Sequence, residues 1–177
     1  MKSTTIGMAM LVLAACSTQR TVKAPEGVIA MCIDSAFDHS DRAAVDSALR
    51  QWGAMLAPAY RIQTHTIDAN NIPLGRCDRT IIRADTRMPW IGFTSDATLG
   101  FTHADRRNAW LVVDRIPRGL LTYVACHEIG HMFGLDHTDP TDGGLMSPGS
   151  GLVDVGRPCF NPNTSDEQIR ITEGARK

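Results

Sequence analysis

His127, Glu128, His131, Gly134 and His137 fall within eleven consecutive residues, HEIGHMFGLDH, and they meet at one point only if the backbone is helical through His131 and turns at Gly134. Residues four apart on an α-helix lie one turn apart on the same face, so His127 and His131 can offer two imidazole nitrogens to a single ion. Glu128 falls beside them. Glycine most readily takes the left-handed conformation that ends a helix and turns the chain, so Gly134 is placed to bring His137 back as a third nitrogen ligand.

Three protein ligands point to a catalytic rather than a structural ion. Zinc is usually four-coordinate, and structural sites usually close all four positions with Cys or His, whereas catalytic sites leave one for water. No cysteine stands among these residues. Three neutral imidazoles leave the double positive charge of the ion unreduced, which favours Lewis-acid chemistry and makes zinc the expected metal. Such an ion lowers the pKa of a bound water to about 7 and polarises a carbonyl, with Glu128 as candidate base and then acid. Accident would place these five residue types at these spacings in on the order of one chain in 10,000.

Met146 stands nine residues past His137, within Gly144-Leu145-Met146-Ser147-Pro148. Together with HExxHxxGxxH this makes the chain resemble the metzincin metallopeptidases, whose long motif is followed by a methionine-containing turn beneath the metal. The resemblance is closest to the matrixin branch and runs roughly from Val28 to Gly174. It implies that Met146 forms a hydrophobic floor under the imidazoles without being a ligand. Other branches carry a tyrosine two residues after the methionine; Pro148 holds that position here, so no tyrosine switch is expected. Thr138 and Ser147 depart from the serine and tyrosine usual in matrixins. The resemblance further implies a metzincin-type α/β (α+β) fold, a twisted five-stranded mixed sheet with three helices, whose edge strand pairs with an extended substrate. Structural calcium or a second zinc bound around His103 and Asp105 would also fit the branch, but the histidines are few and the carboxylates scattered, so an ordinary loop is expected there.

Residues 1–15 read as an export signal, with Lys2 as the positive charge and an apolar run from Ile6 to Ala15 that is too short to span a bilayer, which needs about 20 residues. The ending Leu13-Ala14-Ala15-Cys16 resembles a bacterial lipobox. By that resemblance Cys16 carries a lipid, and two or three acyl chains at about 0.8 kcal/mol per buried methylene make a stable membrane anchor. Ser17 lacks the aspartate that retains many lipoproteins at the inner membrane, so an outer-membrane, periplasmic or cell-surface destination is expected. Residues 16–26 form a short tether with no room for an inhibitory prodomain, and no proteolytic activation is expected. Residues 27–177 form one catalytic domain.

Loss of Lys2 with the leader leaves 17 basic against 19 acidic side chains. That balance suggests no nucleic-acid partner, and a monomer is expected. Cys32, Cys77, Cys126 and Cys159 remain, an even number in an exported chain, and allow three disulfide connectivities. Pairing Cys32 with Cys77 and Cys126 with Cys159 is favoured, because it would tie neighbouring strands and tether the C-terminal loop to the catalytic helix. One helical step turns Cys126 about 100° from the ligand face, which makes it a tether rather than a ligand.

Apolar alternation and continuous apolar runs predict strands over Gly27–Asp34, Tyr60–Ile67, Arg79–Ala84, Thr98–Ala104 and Asn108–Asp114. Recurrence every three or four residues predicts helices over Ser40–Ala57, stopped by Pro58, and over Leu120–Met132. Overlapping capping boxes at Thr164 and Ser165 predict a final helix. His65, in the second strand, is expected at the surface. The chain is thus expected to be a zinc metalloendopeptidase of extracytoplasmic proteins or peptides. The alternatives are a narrow peptidase of small or cell-wall peptides, or a non-catalytic metal-binding lipoprotein.

Overall fold

The structure, a computed structural model, describes residues 27–71, 77–86, 98–138, 144–147 and 158–160. The leader, Cys16, Pro148 and the helix expected from Thr164 lie outside these residues. Strand β1 (Gly27–Asp34), helix α1 (His39–Leu56), strands β2 (Tyr60–Ile67), β3 (Arg79–Ala84), β4 (Gly100–Thr102) and β5 (Asn108–Val112), and helix α2 (Leu121–Met132) follow in that order. The five strands make one mixed sheet in the order β2-β1-β3-β5-β4. β1 runs parallel to β2 and β3, β3 runs parallel to β5, and β4 is the antiparallel edge.

The bounds of β1, β2 and β3 are those the sequence pattern predicts. α1 begins one residue before Ser40, because the Asp38 carboxylate accepts the Asp41 amide at 2.8 Å and so caps the first turn. Its last turn closes with Ala57 N–H on Gly53 O, and Pro58 can donate nothing further. β4 is shorter than predicted. Its ladder bonds reach from Leu99 O, which accepts the Val112 amide, to His103 N, which donates to Asn108 O, and a turn then takes over with Arg106 at a φ of 59°. β5 stops at Val112 because the amides of Arg115 and Ile116 turn back onto the Val112 carbonyl.

Both helices share one core with the sheet face that carries Ile29, Met31 and Ile33 of β1 and Ala109 and Leu111 of β5. α1 contributes Val45, Ala48, Leu49, Trp52 and Leu56, the face its periodicity marks out. Trp52 is fully buried, 5.1 Å from the Phe133 ring and edge-on to Phe160 at 4.8 Å. Its Nε1–H donates to Cys126 O at 3.0 Å, so the centre of α1 is bonded to α2 one residue before His127. Cys126 is also bonded to Cys159, and Cys32 to Cys77, with Cα separations of 5.9 and 5.7 Å. Arg79 closes the far end of α2: its Nε donates to Met132 O at 2.9 Å while the guanidinium lies over the Phe133 ring. α2 is therefore held along its length, which fixes what it carries.

Candidate metal centre

His127 and His131 project from one face of α2. The helix then ends in a Schellman turn: Gly134 takes a φ of 93°, its amide donates to His131 O, and Leu135 N donates to Gly130 O, each at 3.0 Å. That reversal carries Asp136 and His137 back toward the helix. The Nε2 atoms of His127, His131 and His137 converge at 3.1–3.2 Å from one another.

Two of these rings have their tautomer fixed. His127 Nδ1 donates to Leu145 O at 2.7 Å and His131 Nδ1 donates to Leu135 O at 2.8 Å. A ring that donates through Nδ1 presents a bare lone pair at Nε2. Burial also pushes the His127 pKa down to about 4 and moves His131 below its ordinary value, so neither ring carries a proton at Nε2 near neutral pH. The bare lone pairs of His127 and His131 face each other at 3.1 Å and repel unless a cation lies among them. Tetrahedral ligation at 2.0–2.1 Å would set the nitrogens about 3.3 Å apart, so the donor set fits zinc in chemistry and spacing. The partners at Nδ1 are the supporting shell that orients metal-bound histidines.

Met146 is buried with its Sδ against Gly130 of α2; a Cβ at that glycine would stand 2.5 Å from the sulfur. Residues 144–147 are tied into the site from two sides. Tyr123 Oη donates to Gly144 O at 3.0 Å, and Thr138 N donates to Met146 O at 3.0 Å. Met146 is thus packed against α2 at Gly130, in the turn whose Leu145 carbonyl holds His127.

Glu128 is 5% exposed and lies in the same cleft of about 790 Å³ as the three histidines. Thr102 Oγ1 donates to its Oε2 at 2.6 Å. Burial pushes the Glu128 pKa up to about 7, and the hydrogen bond from Thr102 opposes that shift without cancelling it. β4 forms the roof of the cleft, with Leu99, Phe101 and Thr102 on its lining, and Tyr123 and Val124 of α2 opposite.

Sequence reasoning places the three histidines, Glu128, Gly134 and Met146 together; the structure sets the histidines and Glu128 in one cleft, turns the chain at Gly134 and packs Met146 against Gly130. It leaves His65 out: the residue sits on β2 in register with Cys32. His103 Nδ1 lies 3.1 Å from Asp105 Oδ1 within the exposed β4–β5 turn, and among the described residues only the triad gathers as a metal-binding group. Tyr123, Thr102, Gly100 and Gly130 were not marked by the sequence. Tyr123 carried one usable signal, because it lies one helical turn before His127. The other three depend on contacts between distant segments.

The matrixin family model matches residues 34–156, about two thirds of the chain. Among solved structures, the chain is similar to archaemetzincin from Methanopyrus kandleri, with a TM-score of 0.58 and 16% identity over 88% of this chain and 98% of that one. At that identity the likeness is one of fold. No curated protein matches by sequence.

Proposed function

The chain belongs to the matrixin family of zinc metallopeptidases, and from that premise we propose that it is an endopeptidase acting outside the cytoplasm, with His127, His131 and His137 holding the zinc and Glu128 moving the proton. The observation that carries this reading is the convergence of three histidine Nε2 atoms beside a buried carboxyl with a pKa near 7 in one open cleft. A zinc ion bound there supplies Lewis-acid polarisation of the scissile carbonyl and acidifies the attacking water. Glu128 takes that water's proton and returns it to the leaving amine, a task that suits a carboxyl whose two states lie close in free energy at neutral pH.

Among the described residues β4 is the terminal strand of the sheet, and it lines the cleft. An extended peptide would pair with it antiparallel or parallel by main-chain hydrogen bonds, which hold a substrate without regard to most of its side chains. That supports cleavage of internal bonds in many sequences. Placement outside the cytoplasm is supported by the lipobox-like Leu13-Ala14-Ala15-Cys16 and by two disulfides, which persist in oxidising compartments. No described helix is long and apolar enough to cross a membrane, and a lipid on Cys16 would supply the anchor.

Metal content and cleavage of a peptide library, measured on the soluble form beginning after Cys16 and on its Glu128→Gln variant, test this reading. One zinc in both with cleavage only by the parent is expected. Cleavage by the variant would remove Glu128 as base, and properly folded protein without zinc would overturn the assignment of the metal.

A further inference from the structure

Gly100 and Thr102 are two residues apart on β4 and face α2, while Phe101 between them is 41% exposed. Both inward positions meet Glu128. Thr102 Oγ1 lies 2.6 Å from Oε2 and 3.1 Å from the Glu128 carbonyl oxygen. A Cβ on Gly100 would stand 2.6 Å from Oε1, 2.7 Å from Cγ and 2.9 Å from Cδ. The place of the carboxyl is thus bounded by one residue's hydroxyl and by another residue's lack of a side chain.

We propose that Thr102 and Gly100 of β4 are positioning residues for Glu128, the hydroxyl fixing one carboxyl oxygen and the glycine leaving the space the rest of the side chain occupies. This rests on the reading of Glu128 as the proton carrier. The histidines take their orientation from backbone carbonyls, Leu145 for His127 and Leu135 for His131. Glu128 is a longer side chain with more rotatable bonds, and its carboxyl is held from a strand on the far wall of the cleft. A hydroxyl both donates and accepts. Thr102 can donate to the carboxylate, or accept from the protonated carboxyl while turning its own hydrogen to the Glu128 carbonyl. The same grip therefore serves both halves of the proton transfer, with no movement of Glu128. Because β4, the terminal strand among the described residues, also lines the cleft, the strand proposed to hold the substrate is the strand that sets the base.

The clash at Gly100 is with the flexible end of one side chain and not with backbone. An added methyl is therefore relieved by moving Glu128, which costs the fold little and the reaction much, since misplacing a catalytic group by about 1 Å can cost on the order of 100-fold.

The test compares Thr102→Val, Thr102→Ser, Gly100→Ala and Glu128→Gln, with zinc content, kcat and KM read on a peptide the parent cleaves and crystals of each variant reporting where the carboxyl lies. Valine keeps the shape of threonine and loses the hydroxyl. Thr102→Val and Gly100→Ala are expected to lower kcat about ten-fold or more with full zinc and KM little changed, and to show the Glu128 carboxyl displaced. Thr102→Ser is expected to stay within a few-fold of the parent. Parental kcat and an unmoved carboxyl in Thr102→Val, or equal losses in the serine and valine variants, would overturn the proposal while leaving Glu128 as base. Activity retained in Glu128→Gln would instead overturn the reading on which it rests.

Discussion

Replacing Glu128 by glutamine should stabilise the metal-free protein, and by an amount that grows with pH. The carboxyl is 5% exposed, and burial raises its pKa from an ordinary 4.5 to about 7. A gap of about 2.5 units, at 1.36 kcal/mol per unit, is worth about 3 kcal/mol. Because the folded-state pKa is the higher one, the folded chain binds more protons than the unfolded chain between these two values. Unfolding free energy therefore falls as pH rises through that window. The contribution of Glu128 is fully present below pH 4.5 and lost above about 7. Glutamine has nearly the same shape, still offers an oxygen to the Thr102 hydroxyl and has no charge to desolvate. The advantage of the variant over the parent should thus widen by about 3 kcal/mol between pH 4.5 and about pH 8. His127 has the opposite dependence, because its lowered pKa withdraws stability as pH falls from 6.5 toward about 4. That dependence is common to both proteins and cancels in their difference. Urea unfolding of chelator-treated parent and variant, with the disulfides left intact, measures it at each pH. A difference that does not change with pH, or that narrows as pH rises, would refute the account of Glu128 as a carboxyl the fold holds at the expense of stability.

Three further outcomes follow from the packing around the site. Gly130→Ala would place its Cβ 2.5 Å from Met146 Sδ and 3.5 Å from Trp52 Cζ2, so it should destabilise the parent by about 1–2 kcal/mol. In a Met146→Ala background the same change should gain up to about 1 kcal/mol of helix propensity, and one sign in both backgrounds would contradict the contact. Removing the Cys126–Cys159 bond by a double alanine substitution opens a link across 33 residues; a fall of about 2–4 kcal/mol in unfolding free energy is expected with zinc content unchanged, whereas loss of zinc from folded protein would make Cys126 part of the metal site. Trp52→Phe keeps most of the aromatic volume but removes the indole donor to the Cys126 carbonyl, which keeps its place in the helix ladder, and this should cost about 0.5–1.5 kcal/mol in thermal or urea unfolding.

Much of the fold was legible from the chain because its signals are local. A continuous apolar run marks the strand Gly27–Asp34, alternation marks Tyr60–Ile67, a short apolar stretch marks Arg79–Ala84, and a period near 3.6 marks the buried face of α1. The metal centre was legible for the same reason. His127 and His131 are brought together by one helical turn, and His137 by a glycine that the helix end requires, so all three ligands come from a single short segment. Local rules were weakest where a neighbour decides: β4 reads as seven apolar-alternating residues, and its partner and its turn leave three in regular pairing.

What lay beyond the sequence are the contacts between segments far apart in the chain. Four cysteines permit three pairings, and the choice depends on β1 lying beside β3 and on Cys159 reaching α2. Tyr123 and His127 meet the carbonyls of residues 144 and 145 only once that turn folds beneath the helix. Thr102 and Gly100 carry no mark of function in the sequence, since a threonine and a glycine in a short strand are ordinary; they matter because the sheet order puts β4 at the edge above α2. The ligands were set by the helix, whose geometry is the same wherever it occurs. The environment of Glu128, its burial, its hydrogen bond and the space it fills, was decided by the packing of sheet against helix, which backbone periodicity does not encode.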